Sequence, residues 1–230
     1  MKSLVMYGNP TVEENIKKFL NGKVHWEVLT REQKAVVVRK LEMACKSCSL
    51  HYETKYQNVP AVLNPNCKYV FIGRNPNGVE AISNSMFPDG TRNGEIFQRY
   101  LSILGIGKGE ISELNMCYCY GLKGRPVTQE EINKCVAYKS MELEAIGDNF
   151  RVIFAMGQDA LKWIYGLNHP GAMQCVGDIF ESEYNGRIIK IVPLLHPSQI
   201  MIQPELGGGM YEWLTEVGKQ IVQWKQQEDW

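Results

Sequence analysis

Two pairs of cysteines, Cys45 with Cys48 and Cys119 with Cys135, carry the clearest chemical pattern in the chain. A C-x2-C pair can put two thiolates on one metal centre, and a second pair can complete four-thiolate ligation. That donor set suits either zinc or an iron–sulfur cluster, and spacing does not separate them. Other side chains able to do chemistry sit on two turns, Gly73-Arg74-Asn75-Pro76-Asn77 and His196-Pro197-Ser198. The Asn75 amide oxygen can orient a water while Pro76 fixes the backbone, or it can simply close an Asx-turn. The His196 imidazole can donate a hydrogen bond to a group gathering negative charge, or it can be an ordinary loop residue before proline. No lysine is placed as an obvious Schiff-base nucleophile.

These groups need a scaffold, and the apolar runs supply one. Tyr69 to Ile72, Ile111 to Met116, Val152 to Met156 and Ile188 to Leu195 are short, apolar and closed by turn residues, as strands are. Between them the pattern predicts helices over Gly94 to Leu104, Thr128 to Ile146 and Gln158 to Tyr165, the second opened by a Thr128/Glu131 capping box. Strand and helix in alternation imply an α/β fold: a single-domain three-layer α/β/α arrangement around a mainly parallel four-stranded sheet. Val12 to Leu20 and Arg31 to Met43 read as amphipathic helices, making residues 1–44 an N-terminal helical extension before the α/β domain of 45–230. Gly207 to Gly209 reads as a flexible joint before a last helix, Met210 to Gln227. Ligands of such sheets collect beyond the carboxyl ends of the strands, where Gly73–Asn77, Asn115–Cys119 and His196–Gln199 all fall.

Composition limits the alternatives. With 230 residues and 44% hydrophobic content, one sizeable core is expected. No stretch approaches a membrane span and residues 1–10 have no long apolar run, so the expectation is a cytoplasmic protein. Seven cysteines are an odd number in a chain large enough to fold without staples, which favours reduced thiols or metal ligands over disulfides. Net charge is zero, so a nucleic-acid surface would have to be a local patch.

Order, spacing and residue type across roughly residues 41–200 resemble the uracil-DNA glycosylase superfamily, and most of all its iron–sulfur branch, often called family 4. The resemblance is carried by Cys45/Cys48, the turn at Gly73 to Gly78, Phe87 and the helix-opening Gly94, Asn115 with Cys119, the Arg125-Pro126 loop with Thr128, Glu130, Glu131 and Cys135, and His196-Pro197-Ser198. It implies a monofunctional DNA glycosylase of base excision repair. Such an enzyme flips out an aberrant pyrimidine and hydrolyses its N-glycosidic bond. By the same resemblance a [4Fe-4S] cluster sits on Cys45, Cys48, Cys119 and Cys135, with zinc as the alternative. Asn75 places the water and His196 donates to the pyrimidine O2. Asn115 reads the base edge, Phe87 stacks on it, and Glu80 occupies the position that crowds C5.

Ser198 and the Gln199-Ile200-Met201-Ile202 stretch fall where the family contacts and wedges DNA, and Lys123 and Arg125, with Arg74 and Arg92, are candidate phosphate contacts. The partner is DNA and a monomer is expected. One departure matters. The iron–sulfur branch reads Gly-Glu-Ala-Pro-Gly at the first turn, whereas Arg74, Asn75 and Asn77 are closer to mismatch-specific and single-strand-selective relatives. Small residues at Ala81, Ser83 and Ser85 leave open a larger pyrimidine, such as a hydroxymethylated or glucosylated base in phage DNA, with a role in phage defence. A reading of another class is an iron–sulfur DNA-binding protein that kept the fold without the chemistry.

Overall fold

The computed structural model describes residues 20–22, 25–53, 58–165 and 172–227. Its centre is a five-stranded sheet of β1 (Tyr69–Gly73), β2 (Ile111–Asn115), β3 (Val152–Met156), β4 (Phe180–Tyr184) and β5 (Arg187–Leu194) in the order β2-β1-β3-β5-β4. The first four in that order run parallel and β4 runs antiparallel to β5. The expected count of four strands is therefore one short. The missing strand, Phe-Glu-Ser-Glu-Tyr, alternates half-buried with exposed residues and has no apolar run. It turns into β5 through Asn185 and Gly186, both at positive φ (50° and 76°), as a two-residue hairpin requires.

Side chains alternate along each strand and supply two cores. Val70, Ile72, Leu114, Ile153, Ala155 and Ile191 face a layer formed by α1 (Arg31–Ala44), α2 (Leu50–Glu53), α5 (Gln129–Ile146), α6 (Gln158–Tyr165) and α7 (Ala172–Cys175). Tyr69, Phe71, Phe154, Met156, Val192 and Leu194 face α3 (Gly78–Ser83), α4 (Arg92–Leu104), α8 (Pro197–Ile202) and α9 (Gly207–Trp224). The three-layer arrangement follows directly. Helix α1 packs along α5 and sends Ala35 and Val38 into the first core. The expected helix over Val12–Leu20 lies, except for Leu20, outside the described residues.

Caps fix where the helices begin. Thr128 and Glu131 close the expected capping box of α5, the Glu131 N–H donating to Thr128 Oγ1 (3.3 Å) and the Thr128 N–H to Glu131 Oε2 (2.7 Å). Thr30 and Gln33 do the same for α1. Thr91 caps α4 two residues earlier than expected. Gly207–Gly209 is not a joint: it forms the first turn of α9, where a Cβ on Gly207 would already touch Ile200 Cγ2 at 3.3 Å. Along the outer side of β2, Val62 makes a two-way antiparallel bridge to Glu113.

Candidate functional site

The ends of β1, β2 and β5 meet at Gly73. This glycine is in register with Asn115, and the pairing continues past the strand ends as Met116 N–H donates to Gly73 O (2.9 Å) and Cys117 N–H to Arg74 O (2.8 Å). A Cβ built on Gly73 would lie 2.5 Å from Asn115 Oδ1 and 3.5 Å from His196 Nε2. Only hydrogen lets an amide and an imidazole close on the same backbone atom. Gly73 opens the first turn, and its neighbours Asn115, at the end of β2, and His196, just past the end of β5, lie 42 and 123 residues away in sequence, which no local pattern reveals.

His196 caps α8, with Pro197 at the first helical position, so the stretch expected as a loop is a helix. The Ser198 N–H donates to His196 Nδ1 at 3.2 Å and the Ser198 Oγ lies 2.8 Å from the same nitrogen. Nδ1 thus accepts, which leaves Nε2 as the N–H of a neutral ring aimed at the Gly73–Asn115 corner. Burial pushes the imidazole down to about 4, so it stays neutral at physiological pH. Tyr100 O–H donates to Leu195 O at 3.1 Å and anchors the residue before it.

Phe87 closes one side. Its ring stacks on Phe97 at 4.1 Å between centroids and lies 5.6 Å from the His196 ring. Its backbone is left-handed (φ 42°), a conformation a bulky residue adopts only when neighbours impose it. Glu80 is one of those neighbours. Its buried carboxylate accepts from the Phe87 N–H (3.0 Å) and from the Asn77 N–H (2.8 Å), bracing the α3 turn against the Phe87 segment. Burial raises its carboxyl, and the two backbone donors oppose that shift. Both of its oxygens thus contact the protein's own backbone. Asn75 is half-buried on the turn, its Nδ2 donating to Pro76 O at 3.0 Å.

Glu113 went unnoticed in the sequence. It lies two residues before Asn115 on the same face of β2, is 7% exposed, and its carboxyl is pushed up to about 8 by burial, with Glu80 and Asp89 adding to the shift.

The expected DNA contacts divide. Ile200 is buried in the core against Gly207, so the side chain that projects from α8 is Ile202, 73% exposed. Arg125 is held by Glu53 and Glu131, its Nε donating to Glu53 Oε2 at 2.7 Å, so its charge is compensated on the spot. Arg74 pairs with Asp159 (2.7 Å) and donates to Val127 O (3.0 Å), tying the first turn to the Arg125 loop. Lys123 is exposed at φ 57°. Ser198 engages His196 as described.

The cysteines gather at the other side of the sheet. Cys45 and Cys48 follow α1, Cys119 follows β2, and Cys135 lies on α5. Asn58 clips them: its Nδ2 donates to Glu42 O (2.8 Å) and Cys45 O (3.3 Å), and Cys119 Sγ donates to Asn58 Oδ1 (3.1 Å). Burial and then Cys135, Cys48 and Cys45 push the Cys119 thiol up to about 12, so the four sulfurs sense one another. Cys117 is a fifth thiol here and hydrogen-bonds Cys135, drawing that thiol down. The donor chemistry suits a thiophilic metal centre. Among the described residues, however, no three Cys, His, Asp or Glu side chains are arranged to hold a metal ion. No helix among them is long and apolar enough to cross a membrane.

Several known proteins are similar to this chain in sequence. A type-4 uracil-DNA glycosylase of Archaeoglobus fulgidus is 30% identical over 173 residues, 74% of this chain and 84% of that protein. Proteins of the same name from Sulfurisphaera tokodaii (23% identical, 74% of this chain, 76% of that protein) and Pyrobaculum aerophilum (25%, 71% and 83%) are also similar. Residues 60–216, which include the Gly73, Asn115 and His196 corner, match the family model of this fold, and the chain belongs to the uracil DNA glycosylase superfamily.

Proposed function

We propose that the protein is a monofunctional DNA glycosylase that extrudes a uracil, or a related aberrant pyrimidine, and hydrolyses its bond to deoxyribose, leaving an abasic site. The observation that carries this reading is the approach of Asn115 Oδ1 and the neutral His196 Nε2–H to one point beside Gly73. An extruded pyrimidine placed there meets an amide for its hydrogen-bonding edge and an imidazole donor for O2. As C1′–N1 breaks, its electron pair leaves on the base, and the His196 N–H bonds the growing charge on O2. Because the ring is already neutral, it stabilises the anion without first losing a proton. A water held by Asn75 adds to C1′, gives up one proton to solvent, and the departed base takes one back. Phe87, fixed on Phe97 and braced by Glu80, supplies a face for the base.

Uracil is favoured because the similar proteins carry that name. Ser83 and Ser85 are exposed, and Ala81 packs in the core, so these small residues do not by themselves widen the site for a hydroxymethylated or glucosylated base. In this reading Cys45, Cys48, Cys119 and Cys135 hold a [4Fe-4S] cluster, or zinc in its place, that pins α1 and α5 to the end of β2. No step of base release passes through it.

The test is a panel of duplexes carrying uracil, 5-hydroxymethyluracil, hydroxymethylcytosine or its glucosylated form, treated with alkali to reveal abasic sites. Release from uracil is expected, with loss on the order of 10²–10³ in rate for His196→Ala and a comparable loss for Asn75→Ala. Full activity in both variants refutes the site. Unimpaired DNA binding with no base release from any duplex refutes the enzyme and leaves a binding protein.

A further inference from the structure

Beyond the Gly73 corner, a hollow of about 380 Å³ opens between α4, α8 and the first turn of α9, walled by Arg92, Glu95, Arg99, Ile200, Gly207 and Tyr211. It begins one helical turn past His196. Ile200 stands four residues along α8 from that cap, roughly 6 Å along the axis.

Two of its wall residues are arginines. Arg31, Arg74 and Arg125 each have a carboxylate partner. Among the described residues neither Arg92 nor Arg99 is ion-paired, although Glu95 lies between them on the same helix face. Arg99 instead lies over the Tyr211 ring at 3.9 Å. An aromatic face orients a guanidinium without cancelling its charge and leaves its N–H edge for an acceptor. Two guanidiniums without an ion-pair partner on one concave wall, set against the single carboxylate of Glu95, suit a tetrahedral oxyanion, which they can bind bidentately.

We propose that this hollow seats a backbone phosphodiester of the substrate DNA strand. The seat lies one or two nucleotides from the extruded base, because each nucleotide advances a strand by roughly 3.4 Å. This inference rests on the glycosylase reading above. Ile202, 73% exposed, projects from the same short helix. Glu95 opposes the phosphate and sets a ceiling on affinity.

The experiment measures binding of the full chain to a duplex carrying a tetrahydrofuran abasic analogue, by fluorescence anisotropy across a salt series. Base release by the wild type from a uracil duplex is followed in parallel. Arg92→Ala/Arg99→Ala is expected to weaken binding on the order of 10- to 100-fold and to make the slope of log K against log salt shallower by about 1.8. Arg92→Lys/Arg99→Lys keeps the slope, and Glu95→Gln tightens binding. An unchanged slope in the double alanine variant, or weaker binding in Glu95→Gln, overturns the seat. If the wild type binds the duplex but frees no base, the glycosylase reading fails while the slopes still judge the seat.

Discussion

Gly73→Ala is the sharpest probe of the site, because one methyl group is aimed at one atom. The new Cβ would stand 2.5 Å from Asn115 Oδ1, and ordinary contact begins at 3.4 Å, so the amide must retreat by about 0.9 Å or rotate away. The His196 ring, at 3.5 Å, is only grazed. Misplacing a substrate-positioning group by about 1 Å costs on the order of 10²-fold, so single-turnover base release should fall by about that factor. Gly73 has no positive φ, so alanine suits its backbone and the midpoint of thermal unfolding should move little. A double-mutant cycle isolates the cause. If the methyl acts through Asn115, Gly73→Ala/Asn115→Ala will be no slower than Asn115→Ala alone. Activity of Gly73→Ala within about threefold of the wild type, or fully additive losses in the cycle, would refute the claim that the amide at this corner touches the reacting base.

Three further outcomes follow from the buried groups. Glu113 titrates near 8 in the folded chain against 4.5 when free, so it favours folding at low pH and that advantage drains away as pH rises from about 4.5 through 8. At pH 7 the handicap is about 3 kcal/mol. Glu113→Gln should raise the urea midpoint there and flatten the stability profile between pH 5 and 8; an unchanged profile contradicts it. His196 runs the opposite way: its folded value near 4 against 6.5 free means stability is lost as pH falls from about 6.5 to 4, while the rate profile should show no acid limb until below about pH 5. A rate that drops through pH 6.5 would show a ring that titrates normally. Removing the Glu80 carboxylate in Glu80→Ala strips acceptors from the Asn77 and Phe87 N–H groups, at about 1–3 kcal/mol each where water cannot replace them. Lower thermal stability together with slower base release is expected, and an unaffected rate would separate Phe87 from catalysis.

Local chemistry made much of the molecule readable in its sequence. Apolar runs between turn residues gave away β1, β2, β3 and β5, and Thr128 with Glu131 announced the start of α5. β4 stayed hidden because its Glu181 and Glu183 point outward, although Asn185-Gly186 is a hairpin signal that could have found it. Helix α8 starts where the sequence suggests only a turn, because His196 serves as its cap and proline takes the first helical position. What could not be read were the pairings. Arg125 meets Glu53 across 72 residues, and Ile200 rather than Ile202 turns inward because of where Gly207 stands. The same holds for the corner itself: Asn115 and His196 were legible as candidates, but the requirement for hydrogen at Gly73 belongs to three strand ends at once.

The bridge between Val62 and Glu113 has a bearing on how the chain behaves in a crowded cell. A sheet margin is a template onto which a foreign strand can add. Here the β2 margin is already occupied by the chain's own backbone, through the paired Val62 and Glu113 bonds and the Val59 N–H on Tyr118 O. The opposite margin is the short β4, whose Glu181 and Glu183 are exposed. With one border partly covered and the other short and fringed by acid, runaway stacking of copies is discouraged even though every inner strand is strongly apolar.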